Sequence, residues 1–212
     1  MFIPTPSHVQ KIPRRPLNKG RPGSRVTFFP SRKAGHLIAC GSLIHADLCV
    51  HFEHSRNVRT YECRPAIVRY SDISFKADFL ITLNSGSVSY LKLLISEATS
   101  GEPDPESRKK IECRLLDDGV KVVWLKPADL PSPLLTSNLR ALYYYSFGSN
   151  QQAVRHVCKY VLGLKEQCAT VEALLTNGAC TQDIYQAIFS GALYVRLDQK
   201  LSPQTMVYGR AA

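Results

Sequence analysis

No run in this chain approaches the 18 or so apolar residues that a membrane helix requires, so no membrane span is expected. The proline-rich start also lacks the apolar centre of a signal peptide. No two of the seven cysteines stand at CxxC spacing and their number is odd, so neither a zinc site nor a disulfide framework is suggested. Free thiols of this kind fit a reducing cytoplasm, which is the expected location. Acids are scarce: 17 Asp and Glu face 27 Lys and Arg, giving a formal net charge of +10 over 212 residues. Such a surplus attracts polyanions; nucleic acid is the natural partner class, and double-stranded DNA is the partner expected. At 44% hydrophobic and 21% charged, the chain has the composition of a globular protein with room for one domain plus an appendage, or for two small domains.

The deficit of acids is total in residues 1–33, where six prolines accompany Lys11, Arg14, Arg15, Lys19, Arg21, Arg25, Arg32 and Lys33. Proline blocks helices and ladders and unbalanced charge repels itself, so this basic arm is expected to order only against a partner, most simply a phosphate backbone. The arginines from Arg14 to Arg32, with Lys19 and Lys33, are the candidate DNA contacts.

Residues 42–54 carry Leu43, Ile44, Leu48, Val50 and Phe52 at a spacing suited to a partly buried helix with Ser42 as N-cap. His51, Glu53 and His54 are expected at a solvated helix end. Residues 60–68 and 73–83 predict two hairpin strands, Asn84-Ser-Gly-Ser87 a turn, and residues 88–96 a third strand. Asp104 and Pro105 mark the start of a helix that Asp117-Asp-Gly119 ends. Residues 120–125 form a short apolar strand expected inside a sheet, with Trp124 in the core. Together these predict an α/β domain over residues 34–126.

Pro127, Pro131 and Pro133 suggest a linker over residues 127–138, followed by a helical domain over 139–212. Residues 139–147 and 153–162 have helical periodicity, and 171–175 and 178–189 predict two helices joined by a glycine turn. Strands at 191–197 and 201–208 follow. Helix, turn, helix and a strand pair outline a winged helix-turn-helix, with Thr181, Gln182, Tyr185 and Gln186 on its second helix as candidates for bases or phosphates. A helical cap that only packs on the first domain is the competing view. Of Tyr143, Tyr144 and Tyr145, consecutive on a helix, at least one must pack inward.

Several segments resemble one family, the TnsA-like endonuclease subunits of heteromeric transposases, in the PD-(D/E)xK restriction-endonuclease superfamily. The likeness spans about residues 27–207. It rests on Phe29-Pro-Ser-Arg-Lys-Ala-Gly-His36, which looks like the family's basic lead-in, on Val58-Arg-Thr-Tyr-Glu-Cys-Arg-Pro65 with its alternating continuation, and on Ala77-Asp-Phe-Leu-Ile81, where the family has Pro-Asp-Phe-Leu-Val. The resemblance implies a restriction-endonuclease-like mixed sheet flanked by helices, with a C-terminal winged helix. It places Asp78 on the metal-binding aspartate and Glu97 on the acid of ExK, with Thr99 in place of the lysine. An alternative register puts Lys92 and Leu94 there. On the helix, Gly41 and His45 stand where the family has glutamates.

The catalytic candidates are therefore Asp78, Glu97, His45 and Thr99, with Asp78 and Glu97 the ligands of a possible Mg²⁺. Lys76, Lys92 or Lys109 could stand in for the lysine and Asp47 or Glu53 for the helix acid. The implied function is a transposition component that binds transposon-end DNA and docks a transposase or an AAA+ ATPase regulator, with impaired or absent catalysis. The alternatives are a metal-dependent endonuclease acting through Asp78 and Glu97, and a winged-helix transcriptional regulator.

Overall fold

The computed structural model describes residues 9–17, 26–94 and 103–209, and the chain divides into two units between Leu130 and Pro131. Strand β1 (Gln10–Ile12) is followed by β2 (Thr27–Pro30) and β3 (Leu37–Cys40), which form an antiparallel hairpin. Ser42 then caps helix α1 (Leu43–His54), its hydroxyl accepting from the His45 backbone N–H. Strands β4 (Val58–Cys63), β5 (Ile67–Arg69), β6 (Ser74–Phe75), β7 (Phe79–Leu83) and β8 (Val88–Leu93) come next. Helix α2 (Pro105–Asp117), with Asp104 as N-cap and Pro105 in its first turn, leads back to β9 (Lys121–Leu125).

These strands make a four-stranded mixed sheet in the order β4-β7-β8-β9, antiparallel except for the β8–β9 pair. Adjacent residues of a strand face opposite ways, and β7 shows what covers each face. Phe79 meets Phe52 of α1 edge-on at 5.0 Å, while Leu80 packs into the cluster of Tyr90, Ile111 and Leu115 that includes α2. The mixed α/β class expected from the sequence is what the chain adopts, with one helix on each side of this sheet.

Some local expectations need correction. The two long strands at 60–68 and 73–83 are each broken: Arg64 turns left-handed at φ 56°, and β5 and β6 leave to form a second sheet with β1. Part of the basic arm is thereby ordered on its own chain, since Gln10–Ile12 pairs with Ile67–Arg69. Strand β9 is an edge strand and not an interior one, which leaves Val123 44% exposed and Trp124 half-buried. A short apolar run looks the same whether one or both of its faces are covered.

Glu53 is no solvated helix end: its carboxylate is buried and accepts from the Ser31 hydroxyl at 2.6 Å, the Tyr61 hydroxyl at 2.9 Å and the Lys33 N–H at 3.3 Å. Lys33 completes the joint by donating its ammonium to the carbonyls of Phe52, Ser55 and Val58, at the end of α1 and the start of β4. The β2–β3 turn is thus clamped to α1 by one buried carboxylate and one ammonium that saturates three carbonyls.

In the second unit, Pro133 opens a helix; the prolines of the expected linker mark a helix start. Ser132 caps α3 (Pro133–Tyr145), and Asn150 caps α4 (Gln151–Gly163). A short strand β10 (Cys168–Thr170), α5 (Val171–Thr176), α6 (Thr181–Phe189), β11 (Leu193–Tyr194) and β12 (Met206–Gly209) follow, the strands forming an antiparallel sheet in the order β10-β12-β11. Tyr143 is fully buried against Phe189, whereas Tyr144 and Tyr145 are exposed. Buried Asn138 of α3 holds the connection between β11 and β12, donating to the carbonyls of Leu197 and Gln199 and accepting from the Leu201 N–H. That tether explains why only two residues of the expected 191–197 strand pair in the sheet.

Removing the carboxylate of Glu53 strands three buried donors, so Glu53→Ala is expected to destabilise the first unit by about 2–4 kcal/mol. The chain's one tryptophan, Trp124, lies in this unit, and its fluorescence during urea unfolding measures the loss. Glu106→Ala, which breaks the exposed pair with Lys110, should leave the urea midpoint nearly unchanged.

Candidate functional site

Asp78 precedes β7 at a point where the backbone is held on both sides. Its N–H donates to the Leu91 carbonyl at 2.9 Å, and its carbonyl accepts from the Arg64 N–H at 2.7 Å. The residue is 8% exposed, so its carboxylate needs partners. One oxygen, Oδ2, accepts from the Lys92 ammonium at 3.0 Å and from the Leu93 N–H at 2.8 Å, both at the end of β8. The other, Oδ1, lies 3.5 Å from Nε2 of His45 in the first turn of α1.

That last distance is long for a hydrogen bond, and His45 Nε2 is buried with no hydrogen-bond partner among the described residues. Nδ1 of the same ring stands 2.6 Å from the Ser42 hydroxyl, and Phe79 flanks the ring with centroids 5.5 Å apart. Ser42 therefore fixes the imidazole as well as capping the helix. With the hydroxyl donating to Nδ1, the proton of a neutral ring sits on Nε2 and faces Asp78; with the roles reversed, Nε2 presents a lone pair beside the carboxylate.

Burial alone would raise the pKa of Asp78. The nearby His45, the Leu93 N–H and the Lys92 ammonium together outweigh it and hold the carboxyl below the ordinary aspartate value.

Arg14 donates to the Ala77 carbonyl at 2.8 Å, one residue from this centre. Burial and the neighbouring Arg64 guanidinium lower its pKa, and Asp78 opposes them. Cys63 ends β4 close by, and Cys40 and Cys49 stand 3.9 Å apart, Sγ to Sγ. The hydrogen bond shared with Cys49, together with burial, pushes the Cys40 thiol up to about 12, so Cys40 is a poor nucleophile.

The structure thus brings together two of the sequence-predicted catalytic residues, Asp78 and His45, and adds Lys92 as the contact that neutralises the aspartate. Lys92 belongs to the alternative register, and its signal was an ammonium on the strand after Asp78. Glu97 and Thr99 lie outside the described residues, as do Lys19, Arg21 and Arg25. Of the substitutes for the helix acid, Glu53 is committed to its own buried network. The separation of His45 Nε2 and Asp78 Oδ1 is one that two atoms about 2.1 Å from a shared tetrahedral cation would have. Among the described residues no group of three or more His, Cys, Asp or Glu side chains is placed to hold a metal.

The other predicted contacts are dispersed. Arg15 and Arg32 are exposed, while Lys33 spends its ammonium on backbone carbonyls. In the second unit, Gln182 is exposed, Thr181 and Gln186 are half-buried, and Tyr185 is half-buried with its ring edge-on to Tyr145. Among the described residues no helix is long and apolar enough to cross a membrane. No family model matches the chain, and no curated protein matches it in sequence.

The depressed pKa of Asp78 sets a sign for acid stability. A carboxyl held low contributes stability that is present above its unfolded pKa and disappears as pH falls through the folded value. Asp78→Asn should therefore lower the urea midpoint at neutral pH and flatten its decline below about pH 4, as followed by Trp124 fluorescence. A decline as steep as in the unaltered protein would place the acid-sensitive group elsewhere.

Proposed function

We propose that the protein is a DNA-binding component of TnsA-like type, in which a restriction-endonuclease-like core with impaired catalysis is joined to a C-terminal winged helix-turn-helix. The observation that carries this reading is the order of the second unit. Helices α5 and α6 meet through a tight turn at Gly178, strands β11 and β12 follow, and β10 pairs on the far side of β12. This order supports reading β11 and β12 as a wing behind a recognition helix, with α6 as the element that would enter the major groove and exposed Gln182 near its start. The net charge of +10 supplies the sequence-independent part of the affinity. Exposed Tyr145 and Tyr194 of the second unit give a transposase or ATPase regulator an apolar surface to dock on.

Impaired catalysis follows from how Asp78 is satisfied. A hard cation such as Mg²⁺ favours several oxygen ligands, whereas here one carboxylate already carries an ammonium and its neighbour is an imidazole. A second reading, a metal-dependent endonuclease, is favoured by one observation: His45 Nε2 faces Asp78 with no hydrogen-bond partner among the described residues. In that reading Asp78 and His45 would hold the cation, with Glu97 as the further acid. The bound metal would acidify a water and polarise the phosphodiester. Ser42 would orient the ring, and Lys92 would hold a proton beside developing negative charge.

Two assays separate these readings. Duplex DNA should be retarded in gel shifts, and Gln182→Ala should weaken binding by roughly fivefold, the effect of one lost polar contact. Supercoiled plasmid incubated with Mg²⁺ or Mn²⁺ should remain intact. Nicking that disappears in Asp78→Ala would establish the endonuclease instead.

A further inference from the structure

The four-stranded sheet of the first unit ends on β4, and the β2–β3 hairpin ends on β3. Each of these strands therefore has one edge with no ladder partner among the described residues. An open edge is a template for a further strand. At the start of β4 the Lys33 ammonium takes the Val58 carbonyl. Beyond that point, Thr60 to Arg64 and the β3 residues Leu37 to Ala39 line one groove of about 690 Å³. The chain does not fold back along this edge: Arg64 turns left-handed at φ 56°, its N–H donates to the Asp78 carbonyl, and β5 pairs in the second sheet.

The groove has a charge as well as an edge. The segment after β1 brings Arg14 and Arg15 to it, so three guanidiniums with Arg64 stand against one carboxylate, that of Glu62. Among the described residues no carboxylate forms an ion pair with any of the three. Part of the wall is apolar, with Leu37 61% exposed and Pro16 exposed beside it. A nucleic-acid strand would satisfy the guanidiniums but carries no groups that continue a β-ladder. An extended peptide carries N–H and C=O groups at the repeat of the strand itself, and its carboxylates match guanidinium forks. Backbone pairing along an edge, with alternate side chains choosing the partner, is a general mode of peptide recognition.

We propose that this groove docks an extended acidic peptide of a partner protein, added as a strand along β4, with its carboxylates on Arg14, Arg15 and Arg64 and its apolar side chains against Leu37. The edge from Thr60 to Arg64 is roughly 17 Å long, enough for about five residues of the added strand. The site lies in the first unit and does not depend on the DNA-binding reading.

Fluorescence anisotropy with the full-length protein tests this, using labelled peptides of about ten residues, long enough to overrun the edge at both ends. One alternates Val and Glu, one alternates Val and Lys, and one alternates Pro and Glu, which keeps the charge and removes half of the backbone donors. A single-stranded DNA of similar length is the fourth probe. The Val-Glu peptide is expected to bind, the Pro-Glu peptide at least about tenfold more weakly, and the Val-Lys peptide not at all. Arg15→Ala and Arg64→Asn, the latter suited to a left-handed backbone, should each weaken the Val-Glu peptide about fivefold, with circular dichroism and thermal melting to check folding. Hydrogen exchange should show slower amides within residues 60–64 when this peptide is bound. Equal affinity for the Val-Glu and Pro-Glu peptides would reduce the groove to an anion site and overturn the proposal. Binding of the DNA strand that Arg64→Asn weakens, with no binding of the Val-Glu peptide, would assign the groove to nucleic acid and also overturn it. Binding of none of the probes would overturn the proposal and leave the duplex reading, which rests on α6, to its own assay.

Discussion

A carboxylate that is 8% exposed has to be matched by charge or hydrogen bonds, and the first unit is arranged around how Asp78 is matched. Lys92 and the Leu93 N–H reach it from β8, His45 faces it from α1, and its own backbone ties β7 to Leu91 and to Arg64. Helix, hairpin and strand end therefore converge on one residue. The same contacts that stabilise the ionised aspartate also occupy it. With Lys92 on Oδ2, the group is better suited to keeping the fold in register than to accepting a hard dication.

The basic character of the chain is distributed unevenly in its use. Lys33 and Glu53, which look in sequence like surface charges, are consumed in a joint that clamps the β2–β3 turn to α1. Half-buried Arg14 donates to the Ala77 carbonyl. Arg15 is exposed. Counting cations gives the sign of the partner, but the location of a binding surface depends on which cations the fold has already spent.

Much of the framework was legible in advance because its signals are local. Ser42, Asp104 and the turn at Asn84 to Ser87 announced two helix starts and a hairpin, and each is where the residues said it would be. What could not be read depends on contacts distant in sequence. Nothing near Glu53 indicated Ser31 and Tyr61, and β10 has three residues that gain strand character only by pairing with β12. The strand predicted over 60–68 failed for a different reason. Arg64 adopts a conformation that arginine disfavours, so propensity pointed away from the break that redirects the chain into a second sheet.

The salt dependence of duplex affinity tests most directly the proposal that this protein binds DNA through its surplus positive charge and through α6. Phosphate contacts release counterions, so log Kobs plotted against log salt concentration should fall with a slope of about −3 to −7, corresponding to several phosphates neutralised. A slope near zero, or no measurable duplex binding at low salt, would contradict the account.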